Sequence, residues 1–215
     1  MKKAKMLSLT AGLVLAITFT FSCSSDEGSG NKPPEIIYGP TVGHGGEIYQ
    51  TVVIGTQTWF ARNLNYEVSG SKCYDNEPSN CAIYGRLYDW ESAKAACPNG
   101  WRLPNYVERE ALTSYVGNSG NAGKKLKARN GWNNGGNGTD DYGFSALPGG
   151  RGFSDGSFYR VGNEGNWWTA NEVTHSLEPI YVGNVHYYGM FYNSNRIDNS
   201  NISRYLLVSV RCIKD

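Results

Sequence analysis

Between Asn163 and Tyr205 the chain alternates ring and amide side chains. Trp167, Trp168, Tyr181, Tyr187, Tyr188, Tyr192 and Tyr205 are interleaved with asparagines from Asn166 to Asn201. Tyrosine and tryptophan give large contact area at small entropic cost, and asparagine and serine give adaptable hydrogen bonds. Aromatic rings of this kind also stack on sugar rings. The segment therefore has the composition of a recognition surface, with Trp168, Tyr187, Tyr188, Tyr192, Asn193, Asn195 and Asn199 as the expected ligand contacts. The competing role is structural, with the rings in the core and the amides in turns. It is the favoured role for at least one of Trp167 and Trp168, because neighbours on a strand face opposite ways.

Other chemistry is sparse. Asn137, Thr139, Asp140 and Asp141 could offer oxygens to Ca²⁺, which takes six to eight of them. Beside glycines the same residues are turn formers whose side chains bond nearby N–H groups, and that is the role expected, with no metal and no cofactor. His44, His175 and His186 lack the spacing of zinc ligands. No Ser/His/Asp order, nucleophile elbow or phosphate loop is present. Glu108 and Glu110 are two apart on an expected helix and do not face each other. The expectation is a binding module, not an enzyme.

Composition and the N-terminus set the compartment. Met1 to Lys5 is basic and Leu7 to Phe21 is an apolar run, the layout of a secretory signal and short for a membrane span. Thr20-Phe21-Ser22-Cys23 resembles a lipoprotein box, which would make Cys23 the acylated N-terminus after removal of residues 1–22. Cys23 is also the odd member of five cysteines. Ser24-Ser25-Asp26-Glu27 resembles the Ser/Asp/Glu tether of lipoproteins exported to the surface of Bacteroidetes-like bacteria. The expected location is the outer membrane, surface-exposed, with the periplasmic face as the alternative and the lipid as the sole membrane contact. Gly28 to Pro40 is rich in glycine and proline, and residues 23–45 are expected to be a flexible linker. Without the leader's three lysines the 20 basic side chains become 17, against 19 acidic, a net of −2. That balance offers no concentrated basic face for nucleic acid.

Residues 46–215 suffice for one domain with a single sizeable core. Twenty-seven glycines, 15 tyrosines and six tryptophans describe a loop-rich, aromatic-rich domain and not a helical bundle. Glu47 to Ile54 and Gln57 to Ala61 predict a hairpin around Gly55-Thr56 that carries Trp59 inward. Tyr84 to Tyr88 predicts a strand, and Asp89 a helix N-cap. Trp90, Ala93 and Ala96 recur at helical spacing until Pro98 ends the helix at Cys97. Asn105 with Glu108 forms a capping-box pattern. A second helix is predicted from Tyr106 to Tyr115 with Val107, Ala111 and Leu112 inward, then a turn from Ala122 to Ala128 with exposed lysines. A glycine-rich loop follows, Asn130 to Tyr142. Short strands are predicted at Phe144–Leu147, Ser157–Val161, Asn166–Ala170, Ile180–Val182 and Tyr187–Phe191, and a closing strand at Tyr205–Ile213. Cys73 and Cys81 bracket a short polar loop, for which a local disulfide is the natural pairing in an oxidising compartment. Four cysteines still permit three connectivities, and spacing does not choose among them.

Five phrases in series carry a resemblance: GEIYQTVVIGTQTWFARNLNY (Gly46 to Tyr66), YGRLYDW with NGWRLP, GTDDYGFSALPGG (Gly138 to Gly150), WWTA (Trp167 to Ala170) and SVRCIKD (Ser209 to Asp215). In this order they are similar to the Fibrobacter succinogenes major paralogous domain family, over about Gly46 to Asp215. The resemblance implies secreted or surface lipoproteins without an established activity. It also implies an α+β fold similar to C-type lectin-like domains, with two helices on a twisted, mainly antiparallel sheet and long glycine-rich loops. In such domains a cysteine on the first helix bridges to the last strand, and Cys97 and Cys212 fit that bridge. Calcium-dependent lectins of this fold use EPN or QPD and WND triplets. Here Glu77-Pro78-Ser79 precedes the first expected helix, and Trp168-Thr169-Ala170 supplies no carboxylate. Formylglycine-generating enzymes also resemble the chain at RLP, but they need a cysteine pair near the C-terminus, where only Cys212 lies. Lectin-like folds also carry segments diversified by retroelements, and Tyr187 to Ser203 has the residue types that adenine mutagenesis yields. The partner expected is a glycan or protein at the cell surface. The second expectation is a structural envelope or assembly subunit without a soluble ligand.

Overall fold

The computed structural model describes residues 33–174 and 183–215. Cys23, the expected leader, most of the expected linker, His175, Tyr181 and the strand expected at Ile180–Val182 lie outside those residues. In chain order the elements are β1 (Ile37–His44), β2 (Glu47–Ile54), β3 (Gln57–Phe60), β4 (Ser71–Lys72), α1 (Pro78–Tyr84), β5 (Leu87–Tyr88), α2 (Trp90–Ala96), β6 (Trp101–Arg102), α3 (Tyr106–Val116), α4 (Ala122–Leu126), β7 (Arg151–Gly152), β8 (Phe158–Tyr159), β9 (Glu164–Glu172), β10 (Val185–Phe191), β11 (Asp198–Ile202), β12 (Val208–Ser209) and β13 (Ile213–Lys214). The fold is α+β. One sheet has the order β1-β2-β3-β13-β6, a second β11-β10-β9-β12-β5-β4, and β7 pairs with β8. Between these strands the pairings are antiparallel except β12 with β9, where Ser209 lies opposite Trp167.

Both faces of the central strands are covered, so adjacent apolar residues serve different cores. Trp59, Trp167 and Ile213 join a cluster with Leu112 and Val116 of α3 and Leu126 of α4. Their chain neighbours Phe60, Trp168 and Cys212 join another, with Trp90, Ala93 and Ala96 of α2. The period-2 alternation of a strand sends each member of a pair to its own side.

Local signals hold where they are strongest. Asp89 caps α2 by accepting from Ser92 N at 2.8 Å. Asn105 accepts from Glu108 N at 2.9 Å while Glu108 accepts from Asn105 N at 2.8 Å, a complete capping box. Glu108 also takes both guanidinium nitrogens of Arg102, at 2.7 and 2.8 Å, and that hydrogen-bonded partner holds its carboxyl below the ordinary range. Disulfides join Cys73 to Cys81 and Cys97 to Cys212.

Several expectations are corrected. The inward face of α3 is Arg109, Leu112, Thr113 and Val116, while Val107 is 72% exposed and Ala111 is exposed. Tyr84 ends a helix, α1, where a polar loop and a strand are expected, and only Leu87 and Tyr88 form strand pairs there. Pro78 starts that helix with a preset φ, and the Cys73–Cys81 bond fixes it to the preceding turn. The expected linker contains β1, which pairs with β2 from Ile37 opposite Val53 to His44 opposite Glu47. Phe144–Leu147 is not a strand but a largely buried segment with one bridge, Lys127 to Ala146. The closing strand is divided, β12 in one sheet and β13 in the other.

Arg211 stands between the divided halves, fully buried. It donates to the carbonyl oxygens of Phe60 and Phe144 and, at 2.7 Å, to Asn63 Oδ1, which also accepts from Trp167 Nε1. Burial lowers its pKa to about 10.

Candidate functional site

The late segment is divided by the sheet that forms it. Trp168 is fully buried and donates its ring N–H to Tyr88 O at 2.7 Å. Tyr188 is 1% exposed and stacks on Trp167 with ring centroids 5.3 Å apart, and burial pushes its hydroxyl pKa well up. Neither can touch a partner, which corrects the expectation for both: β9 and β10 are inner strands with helices or loops over each face. Tyr187 packs at the edge of the second core, half-buried, and Asn199 sits exposed on β11, donating to Glu110 at 3.2 Å. Tyr205 is exposed but lines a separate groove with Phe153 and Leu207.

Tyr192, Asn193 and Asn195 do come together. They follow β10 and form one wall of a cleft of about 260 Å³. The facing wall is the turn Asn134–Asn137 from the glycine-rich loop, and the floor carries Lys124 and Lys127 from α4 and its end. Two contacts fix the walls. Gly136 lies so close to Tyr192 that an added Cβ would stand 2.2 Å from its carbonyl oxygen, so the two backbones touch with no side chain between. Lys127, 1% exposed, donates to Phe191 O at 3.0 Å and Ser194 O at 2.9 Å, and its ammonium lies over the Trp132 ring. It therefore holds both ends of the turn that presents Tyr192 and Asn193. This corrects the expectation of exposed lysines after Ala122.

The cleft is electropositive. Lys124 donates to Asn137 O at 3.0 Å. Burial, helped by the nearby charge of Lys124, brings the Lys127 pKa down to about 8. No carboxylate lines the cleft, and neither lysine takes part in an ion pair among the described residues. Asn137 accepts from Trp132 N, and Asp140 accepts from both the N–H and the hydroxyl of Ser145, so these oxygens serve the loop itself. His44 bonds Ala96 O and lies against the Tyr66 ring. No group of three potential metal ligands occurs among the described residues, and no helix there is long and apolar enough to cross a membrane.

A family model, the Fibrobacter succinogenes major domain, matches residues 52–214. The chain belongs to that family. No curated protein and no solved structure matches it. The span of the Fibrobacter succinogenes major domain includes every residue of the cleft and both disulfides, and it begins after β1 and within β2. Sequence reasoning missed Lys124, Lys127 and the Asn134–Asn137 turn as partners of the late loop. The sequence shows only Lys124, Lys125 and Lys127 ahead of a loop rich in asparagine and glycine, which does not join them to the late loop.

Proposed function

We propose that this protein is a lipid-anchored binding module of the bacterial cell surface, held through Cys23, with a C-type lectin-like fold and a ligand site in the cleft between Asn134–Asn137 and Tyr192–Asn195. The ligand is a glycan or a protein bearing one, and the module is not an enzyme. One observation carries this reading: three residues picked out by composition converge with further amide and lysine side chains on a single cleft. Amides facing one another across a narrow gap can satisfy the paired hydroxyls of a sugar ring, and Tyr192 supplies a ring at the rim. The bridge from Cys97 to Cys212 is consistent with the lectin-like arrangement, in which the chain's end is tied to an early helix. The test is a glycan array probed with the chain from residue 33 onward, alongside Asn193→Ala/Asn195→Ala. Loss of the array signal with unchanged melting supports the reading, and an equal signal from the variant counts against it.

A second reading, a structural assembly subunit, is favoured by the edge of the first sheet. Ile37, Tyr38 and Ile48 are large apolar side chains left exposed on β1 and β2. Strand β1 lies at the edge of its sheet, with backbone groups open to pairing by another chain. Size-exclusion of the same chain with Tyr38→Lys separates the two readings. An assembly that the variant dissolves, with no glycan bound, belongs to the second.

A further inference from the structure

The two lysines of the cleft have charge that the described residues do not neutralise. A lysine ammonium offers three donors. Lys127 spends two on Phe191 O and Ser194 O, and Lys124 spends one on Asn137 O. Two N–H groups are left on Lys124, and three positions along the chain Lys127, almost completely withdrawn from water, has its ammonium over the Trp132 ring. Carbonyl oxygens solvate an ammonium but do not cancel its charge, so a charge held here costs free energy that an incoming anion would recover. Burial first, and the charge of Lys124 second, lower the pKa of Lys127. Around this positive floor stand neutral hydrogen-bonding groups, Asn134, Asn193 and Asn195, with Tyr192 at the side. The volume of about 260 Å³ lies below the roughly 300–1,000 Å³ of pockets for drug-sized molecules. It suits one terminal ring rather than a length of polymer.

We infer that the cleft is a site for an acidic sugar, with the carboxylate set against Lys124, the buried charge of Lys127 beneath it adding to the attraction, and the ring hydroxyls against the amides of Asn193 and Asn195. This rests on the cleft being the ligand site and adds the class of ligand. A neutral sugar cannot offset the charge of the lysines, and a bare inorganic anion has no donor for the amide carbonyl oxygens.

The experiment titrates the full-length chain in detergent micelles with glucuronate, glucose and sulfate, followed by calorimetry or by side-chain amide resonances. Glucose differs from glucuronate only in carrying a hydroxymethyl in place of the carboxylate. The expected result is glucuronate binding at least ~10-fold tighter than glucose or sulfate, the worth of about one hydrogen bond to a charged group. Lys124→Gln should weaken glucuronate by a similar factor and leave glucose unchanged, and Lys124→Arg should restore binding. Equal affinity for glucuronate and glucose, or for glucuronate and sulfate, overturns the inference, as does indifference to Lys124→Gln. If neutral sugars bind and Asn193→Ala/Asn195→Ala abolishes it, the acidic class is wrong while the cleft stands. If glucuronate binds and that double variant does not disturb it, the cleft itself is wrong.

Discussion

Lys127 is the residue on which the cleft depends, and its titration makes it measurable. The native state begins to lose its proton near pH 8, whereas an unfolded lysine keeps it to an ordinary value of 10.5. Between these values the unfolded chain binds more protons, so this group makes stability rise with pH. Above ~10 the buried tyrosines act oppositely. Burial raises the Tyr88 and Tyr188 pKa values, so the unfolded chain ionises first. The urea midpoint should therefore climb from about pH 8 toward ~10 and then fall. Lys127→Met should be less stable at pH 7, having left two carbonyls unpaired, and should lack the climb. A midpoint curve of the same shape in both proteins would mean that Lys127 is not held as described. Gly136 is the second critical position. Gly136→Ala must push the Tyr192 backbone away, which should cost about 1–3 kcal/mol and abolish ligand binding, read by denaturation and titration on one sample.

At the scale of elements, what could be read from the sequence was what is decided locally. Asp89 and the Asn105–Glu108 pair announce α2 and α3 because a cap is a contact within one turn. Helix α1 carries no side-chain cap bond and is held by a disulfide, so Pro78 at its start is the one local signal in its short sequence. Strand β1 has glycine and proline within it and exists through pairing with β2, which composition cannot reveal. A chain starting at residue 46 should accordingly melt below one starting at 33, because it loses β1 and the packing of Ile36 on the core. Equal melting temperatures would make β1 an ornament. The disulfides differ by the loop each closes, with sequence separations of 115 and 8. The longer loop should be worth about 5 kcal/mol in the chain-entropy model and the shorter about 2.5 kcal/mol. Cys97→Ala/Cys212→Ala should therefore unfold at clearly lower denaturant than Cys73→Ala/Cys81→Ala, and the reverse order would contradict this account.

At the scale of the molecule, composition located the late loop, and the fold then selected from it. Both members of Trp167-Trp168 are buried because the sheet is covered on both faces, a fact about layers and not about any one strand. Tyr192, Asn193 and Asn195 were within reach of sequence reasoning, since they lie in a short turn after an apolar strand. Their partners were not, because Lys124, Lys127 and Asn134 are distant in the chain and are brought to them by topology. The central claim is that this junction of two loops is where the protein meets its ligand. Its most direct measurement is amide chemical-shift mapping of the full chain with a bound glycan. The account predicts that the perturbed signals cluster at Asn134–Asn137 and Tyr192–Asn195 and vanish in Asn193→Ala/Asn195→Ala. Perturbations gathered instead around Tyr205 and Phe153, unaltered in that variant, would contradict it.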